Sequence, residues 1–500
     1  MARPILESGP LLAELLRPAL REPGPLYRCL AERLRIAIDT GEIPSGTVLP
    51  PERELAQALA VSRATIVSTY QHLKADGWLE SRRGSGTWVP QNIPFERHEG
   101  VDAVSTARLF LSDDGREQRT GPGEQANTSG IIDLSVAALS CSPTIERVLC
   151  SLTPEDIREL TSHHGYLPHG LHALRDTIAK RFSAQGLTTS AENLVITTGA
   201  HQAISLVCRQ ILQSGDTVIV ESPTFPGALD VFRRFGARTL PLPVDDDGAR
   251  VDVLPELLAR AKPKLLYIAP QHNNPTGVVL SLERRMRIAE LAGLSKTIVL
   301  EDHAMADVAL TRTDPLPPIA ALNDTARIHT IGSASKLFWA GLRVGWVRSP
   351  DDFAARMLAT KTVADLGNPL IDQLFTHRLL NQIDVIQEER RRDLLPRLHQ
   401  LTTLITEMLP GWTWTTPSGG LSLWVTMPSG NAVELAETAR DCGVVVVPGP
   451  ALSVDGGNRR SLRIVFSATE NEITEGVRRL AEAWSRYTHQ QPRQTARLLV

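Results

Sequence analysis

Aromatic side chains make up only 5% of this 500-residue chain, and nowhere does it carry the run of about 18 apolar residues that a membrane-spanning helix needs. Leu11-Leu12 and Leu15-Leu16 are interrupted by Pro10, Glu14 and Arg17, which excludes a signal-type apolar core. The five cysteines, Cys29, Cys141, Cys150, Cys208 and Cys442, are odd in number and widely spaced. With no Cys-x-x-Cys pair and no histidine cluster at ligand spacing, they exclude a disulfide framework and a zinc site. Buried, reduced thiols in a cytoplasmic protein with no membrane partner are the expectation. The net charge of −3 lacks an excess of either sign, so any contact with nucleic acid has to be local.

What is present is ordinary globular material. A hydrophobic content of 42% supports globular folding, and a length of 500 residues is too great for one ordinary core and implies roughly three domains, or one large α/β domain with a small one.

Near the N-terminus, Leu26, Leu30, Leu34 and Ile38 recur every four residues on one helical face, and Gly41 supplies a stop. Pro50-Pro51 opens a second short helix through Glu52, Arg53, Leu55 and Leu59, followed by a turn at Ala60-Val61. Ser62 is placed to cap a third helix, whose Ile66, Tyr70 and Leu73 face inward until Gly77, leaving Arg63 and Thr65 outward near its start. Trp78-Leu79-Glu80 and Thr87-Trp88-Val89 flank Arg82-Arg83-Gly84-Ser85-Gly86, which reads as a strand, a glycine-rich tip and a returning strand. Early positions of the second helix of a helix-turn-helix reach base edges.

These residues resemble the GntR family of bacterial transcription factors, through Leu49-Pro50, Arg53, Leu55-Ala56, Val61-Ser62-Arg63-Ala64-Thr65 and Gly84-Ser85-Gly86. The resemblance implies a winged helix-turn-helix over residues 1–90 that binds double-stranded operator DNA through Arg53, Ser62, Arg63, Thr65, Arg83 and Gly84. Over residues 62–89 the charge is only weakly basic, with Arg63, Lys74, Arg82 and Arg83 against Asp76 and Glu80. Ordered motifs rather than charge carry the expectation. A small protein-interaction domain is the plainer alternative.

Residues 91–130 are polar and turn-rich, as in Asp113-Asp114-Gly115 and Gly121-Pro122-Gly123, and read as a flexible linker. A coil of that length spans on the order of 35 Å. From 131 to 489, apolar runs at 194–198, 217–220, 265–269, 297–300 and 327–331 alternate with helical patterns such as 202–212 and 284–294, the signature of a largely parallel sheet. Ligands in such sheets bind beyond the carboxyl ends of the strands. Asn274, Asp302 and Lys336 each fall near a predicted strand end.

Lys336, in Ser333-Ala334-Ser335-Lys336, is suited to hold an aldehyde cofactor as an imine. Asp302 would keep a pyridine nitrogen protonated, and Phe225 would lie on the ring face. Gly199-Ala200-His201 joins a strand to a helix start that suits a phosphate, and Ser333 and Arg343 would complete the cup.

Together with Tyr166-Leu167-Pro168-His169-Gly170, Asn274-Pro275-Thr276-Gly277, Glu301-Asp302, Gly419-Gly420 and Leu462-Arg463, these residues look like fold-type I pyridoxal-phosphate aminotransferases. The resemblance implies a domain with a mostly parallel large sheet, a smaller C-terminal α+β part at about 361–489, and a tail at 490–500. It implies pyridoxal 5'-phosphate on Lys336, Asn274 on the ring 3-hydroxyl, Arg463 on an amino-acid carboxylate, and Tyr166 reaching the phosphate of the other subunit of a homodimer.

One departure stands out. Where the family usually places a phenol, Glu301-Asp302 is followed by His303-Ala304-Met305, which removes a donor to the ring oxygen; His303 is the candidate substitute. Phe225 likewise replaces a common tyrosine. The whole chain resembles the MocR subfamily of GntR regulators, which implies a transcriptional regulator that senses pyridoxal phosphate or an amino-acid or amine effector without physiological turnover. An active aminotransferase with a DNA-binding appendage is the alternative, and Ala304 weighs against it.

Overall fold

The structure, a computed structural model, describes residues 9–21, 25–39, 43, 47–75, 78–82, 86–90, 130–312 and 316–490. Gly41, Gly77, the wing residues Arg83, Gly84 and Ser85, the interval 91–129 and the tail 491–500 lie outside the described residues. The chain divides into two compact units, Met1–Asp102 and Ala103–Val500.

The first unit contains helices α1 (Gly9–Leu16), α2 (Leu26–Asp39), α3 (Glu52–Leu59) and α4 (Arg63–Ala75), with strands β1 (Val48–Leu49), β2 (Glu80–Arg82) and β3 (Gly86–Trp88). The expected leucine face of α2 is present: Leu30, Leu34 and Ile38 are buried with Leu55, Leu59, Ile66, Tyr70 and Leu73 in one cluster. Pro51 caps α3, and Ala60 ends it in the left-handed region at φ 56. The N–H of Ala60 returns to the Gln57 carbonyl and that of Val61 to the Ala56 carbonyl, which satisfies the carbonyls a helix end leaves open. The Ser62 hydroxyl accepts the Thr65 N–H at 3.1 Å, starting α4 as expected.

Two elements were not read from the sequence. Strand β1 pairs antiparallel with β3, matching Val48 with Trp88 and Leu49 with Thr87, so the hairpin becomes a three-stranded sheet ordered β1-β3-β2. Two residues with no alternating pattern carry no strand signal. The leucines at 11, 12, 15 and 16 lie in α1, whose Leu12 and Leu16 are fully buried in the same core.

The second unit is built on an eight-stranded sheet. After β4 (Ile132–Asp133) come β5 (Leu194–Thr197), β6 (Thr217–Ser222), β7 (Arg238–Asp245), β8 (Gly248–Ala249), β9 (Leu265–Ile268), β10 (Ile298–Asp302), β11 (Ile328–Ser333) and β12 (Gly345–Arg348). The sheet order is β5-β12-β11-β10-β9-β6-β7-β8. Strands β7, β6, β9, β10 and β11 run parallel, and β12 is antiparallel to both β11 and β5. Alternate residues face opposite layers. Val195, Val220, Tyr267, Leu300 and Ile331 join a cluster with the helices Ala200–Ile211 and Pro226–Arg234, while Ile196, Ile219, Leu266, Ile268 and Val299 join the other layer.

The C-terminal part holds the 26-residue helix Ile383–Met408 and an antiparallel sheet of β13 (Thr413–Trp414), β14 (Ser422–Thr426), β16 (Val447–Pro448) and β17 (Ser461–Val465), ordered β13-β14-β17-β16. Strand β4 pairs parallel with β15 (Val444–Val445), so the start of this unit is anchored to its C-terminal part across more than 300 residues of sequence.

The thiol expectation needs correction. Cys29 and Cys208 are buried, but Cys141 and Cys442 are half-buried and Cys150 is exposed. Cys150 follows the short helix Pro143–Leu149 as its cap, a position that packing does not cover. Among the described residues no helix is long and apolar enough to cross a membrane.

Candidate functional site

The carboxyl ends of β5, β6, β9, β10 and β11 open on one cavity of about 850 Å³. From β5 it receives Gly199, Ala200 and His201; from β6, Phe225; from β9, Asn274; from β10, Asp302; and from β11, Ser333 and Lys336, with Arg343 beyond. Arg463 of β17 closes the opposite wall. The parallel order β11-β10-β9 is what brings Lys336, Asp302 and Asn274 together.

Lys336 follows β11 by three residues, and its Nζ donates to the Ala137 carbonyl at 2.8 Å. Burial, with Arg463 and Arg343 nearby and Asp302 opposing them, pushes this amine down to about 8. Asp302, the last residue of β10, is 6% exposed. Its Oδ2 accepts the Tyr267 hydroxyl at 2.6 Å and its Oδ1 the Ala304 N–H at 2.8 Å. Burial raises this carboxyl, and both donors oppose the rise.

Arg463 donates Nη1 to Asn274 Oδ1 at 3.1 Å and Nη2 to the Ser135 carbonyl, while its Nε has no hydrogen-bond partner. Burial lowers the guanidinium only to about 10, so it stays charged at neutral pH. Gly199 caps the helix Ala200–Ile211 at φ 122, and a Cβ there would lie 3.4 Å from Arg343 Nη2. The guanidinium therefore sits over the helix start, where unpaired N–H groups favour an anion. Phe225 folds over Gly227, where a Cβ would come within 2.4 Å of the ring.

Both units match known families. Residues 136–480 match the family described as Aminotransferase class I and II, and residues 26–89 match Bacterial regulatory proteins, gntR family. The HTH-type transcriptional regulator YdfD of Bacillus subtilis is 26% identical over 91% of this chain and 95% of its own. The probable rhizopine catabolism regulatory protein MocR of Rhizobium meliloti is 29% identical over 66% of each chain. The crystal structure of Pyrococcus horikoshii kynurenine aminotransferase, a complex with PMP, superposes with a TM-score of 0.65 at 29% identity, covering 72% of this chain and 92% of that one.

The chain belongs to the class I and II aminotransferase family and carries a gntR-type DNA-binding domain.

In this GntR/MocR-type regulator, the expected DNA-facing residues are at the surface where described. Arg53, Ser62 and Arg63 are exposed and Thr65 is half-buried. The Ser62 and Thr65 hydroxyls are 2.8 Å apart. On the inner side, the Tyr70 hydroxyl donates to the Pro50 carbonyl at 2.9 Å, which holds α4 against the turn before α3. Arg83 and Gly84 fall outside the described residues.

Tyr166, expected at the phosphate of the other subunit, does not line this chain's own cavity and is 62% exposed. His303 is not the substitute donor: its Nε2 lies 3.3 Å from Glu301 Oε2, on the face of β10 opposite Asp302. Glu301 also accepts the Thr330 hydroxyl and the Ile319 N–H, so this pair belongs to the packing behind the sheet. Ala304 does line the cavity.

Sequence reading missed Tyr267, read only as part of an apolar strand, because the register that sets it beside Leu300, on the side of Asp302, exists only in the sheet. It also missed Asp230 and Arg234, four apart on the helix Pro226–Arg234, and Ser135 to Ala138, all lining the cavity. Ala137 contributes a backbone carbonyl, which has no sequence signature.

Proposed function

We propose that this regulator holds pyridoxal 5'-phosphate covalently at Lys336 and that occupancy of the cavity, by the cofactor alone or with an amino-acid or amine effector, alters operator binding by a cytoplasmic homodimer. The observation that carries this reading is a buried lysine amine sharing one cavity with Asp302, Asn274 and Arg463, in a chain that also has a gntR-type domain. The donor set fits the group. A cationic cup at a helix start, an apolar ring wall at Phe225, a buried carboxylate and an amine near neutrality match a phosphate, a ring face, a pyridine nitrogen and an aldehyde, respectively. When bound, the cofactor supplies a carbonyl that captures amines and a ring that withdraws electrons.

The chain's own groups do the rest. Lys336, brought down to about 8 by burial, presents a substantial neutral fraction at physiological pH, the form that attacks a carbonyl. Gly199, Ala200 and His201 offer N–H groups at the helix start, and Ser333 and Arg343 add charge-assisted bonds to the phosphate. Tyr166 of the partner subunit reaches the same phosphate, which accounts for its exposure in a single chain. Asn274 bonds the ring hydroxyl, Asp302 holds the ring nitrogen's proton, and Arg463 takes an effector carboxylate with its unpartnered Nε and remaining N–H capacity. Arg53, Ser62, Arg63 and Thr65, with Arg83 and Gly84, contact DNA. A ligand shifts DNA affinity only by favouring one arrangement of the two modules over another.

Footprinting of the full chain on its own upstream DNA, with and without pyridoxal phosphate and a panel of amino acids, tests this. A protected site whose occupancy changes with ligand supports the reading; DNA protection indifferent to every ligand sinks the sensor role. The intact set Asn274, Asp302, Lys336 and Arg463 keeps active transamination as a second reading. Repeated interconversion of the aldehyde and amine forms of the cofactor with amino and keto acids would favour it.

A further inference from the structure

Tyr267 lies on β9 beside Leu300 of β10, so its side chain emerges on the face that also carries Asp302. Its hydroxyl donates to Asp302 Oδ2 at 2.6 Å, and Ala304 N–H occupies Oδ1 at 2.8 Å. Tyr267 is fully buried. Phe232 meets its ring edge-on, with centroids 5.6 Å apart and planes at 70°, which fixes where the phenol points.

We propose that Tyr267 is a positioning residue that acts through Asp302, keeping this carboxylate ionised and aimed at the ring nitrogen of bound pyridoxal phosphate. The inference rests on the cofactor reading above. A donor held against a carboxylate stabilises its charged form, and more so where water is excluded.

Several other groups bear on Asp302. Burial drives its carboxyl up, while Tyr267, the Ala304 N–H, His303 and Lys336 pull it down. Glu221, on β6, is a like charge when ionised, but burial pushes it up to about 8 despite the Ala269 N–H and Asn273 amide it accepts. It is therefore largely neutral at pH 7 and opposes Asp302 little. Glu221 and Cys208 also face Tyr267, and the phenol, raised well above its ordinary value chiefly by burial, stays a donor throughout. The balance at Asp302 thus depends on the short phenol bond. Without it, a buried carboxyl that takes up a proton no longer supports a positively charged ring nitrogen, and the ring withdraws fewer electrons from the atom joined to Lys336. A proton there is then held to higher pH.

The test is a pH titration of visible absorbance on the loaded full-length protein, with borohydride fixation of a separate portion of the same sample, done first, to count pyridoxyl groups on Lys336. Tyr267→Phe is expected to retain the cofactor and move the absorbance midpoint upward by about half a pH unit or more, roughly a threefold change in the proton equilibrium. Asp302→Asn should move it further, and Tyr267→Phe should add nothing in that background, since a residue acting through Asp302 has nothing left to act on. Should Tyr267→Phe fail to fold, a fluorinated tyrosine at 267, a stronger donor of the same shape, is expected to move the midpoint downward. A loaded Tyr267→Phe protein with the wild-type midpoint, an unmoved midpoint with the fluorinated residue, or equal shifts with and without Asp302, would overturn the proposal. Wild-type protein that takes up no pyridoxal phosphate overturns the cofactor reading itself, which the fixation step reveals before any titration.

Discussion

Arg463 on β17 and Asn274, which follows β9, meet directly, Nη1 to Oδ1 at 3.1 Å. The residue assigned to the effector carboxylate and the one assigned to the cofactor's ring hydroxyl are therefore coupled before any ligand arrives, across 189 positions of sequence.

This contact makes Arg463→Lys a sharp test. A lysine cannot span both the Ser135 carbonyl and Asn274 with a planar fork. Effector affinity should fall about tenfold or more, or ~1.4 kcal/mol, while borohydride still fixes the cofactor on Lys336. Calorimetric titration of the loaded protein with the responsive amino acid measures the first, and mass spectrometry the second.

The burial of Lys336 predicts a pH profile. Its amine is lowered from 10.5 to about 8, so the neutral, reactive fraction is about half at that pH and nearly complete roughly one unit above it. The rate of pyridoxal phosphate uptake should climb through pH 8 and flatten above roughly pH 9. A rate still rising towards pH 10 would mean an unperturbed amine. Lys336→Ala should abolish fixation and ligand response and leave basal DNA binding in place.

Arg63 is exposed at the first position of α4. Arg63→Ala should weaken operator binding by about 1–3 kcal/mol if it reads a base edge and leave cofactor absorbance untouched. Electrophoretic mobility shifts on the footprinted fragment provide the measurement; unchanged affinity would misplace the recognition surface. Ser62→Ala removes the oxygen that accepts the Thr65 N–H and should lower helix stability by about 0.5–2 kcal/mol.

Leu16 is fully buried at the end of α1 and shares a cluster with Leu30, Leu34 and Leu55. Leu16→Ala should destabilise the DNA-binding unit by about 2–5 kcal/mol, visible as an earlier thermal transition with the cofactor cavity intact. An unchanged melting profile would show that α1 is dispensable.

How much of this was legible without coordinates differs by residue. The α2 leucines, the Ser62 cap and the parallel strands were readable because each depends on spacing within a short segment. Helix α1 was not, because its leucines make sense only against a core formed by residues 30–73. Strands β1 and β4 are two residues long and exist only through their partners, β3 and β15. His303 could be turned toward the cavity or away by sequence reasoning; just past the end of β10 it turns away, onto the buried Glu301.

The linear order of residues alone determined the two-part plan and the two families, because motifs such as Ser333-Ala334-Ser335-Lys336 and Val61-Ser62-Arg63 specify residue types at fixed local offsets. Only the tertiary structure decided which groups touch: Lys336 with a backbone carbonyl at Ala137, Arg463 with Asn274, and Tyr267 with Asp302. The physical reason is that strand order and side-chain alternation bring distant residues into contact, where burial lowers the Lys336 amine and raises the Asp302 carboxyl against the donors it meets there.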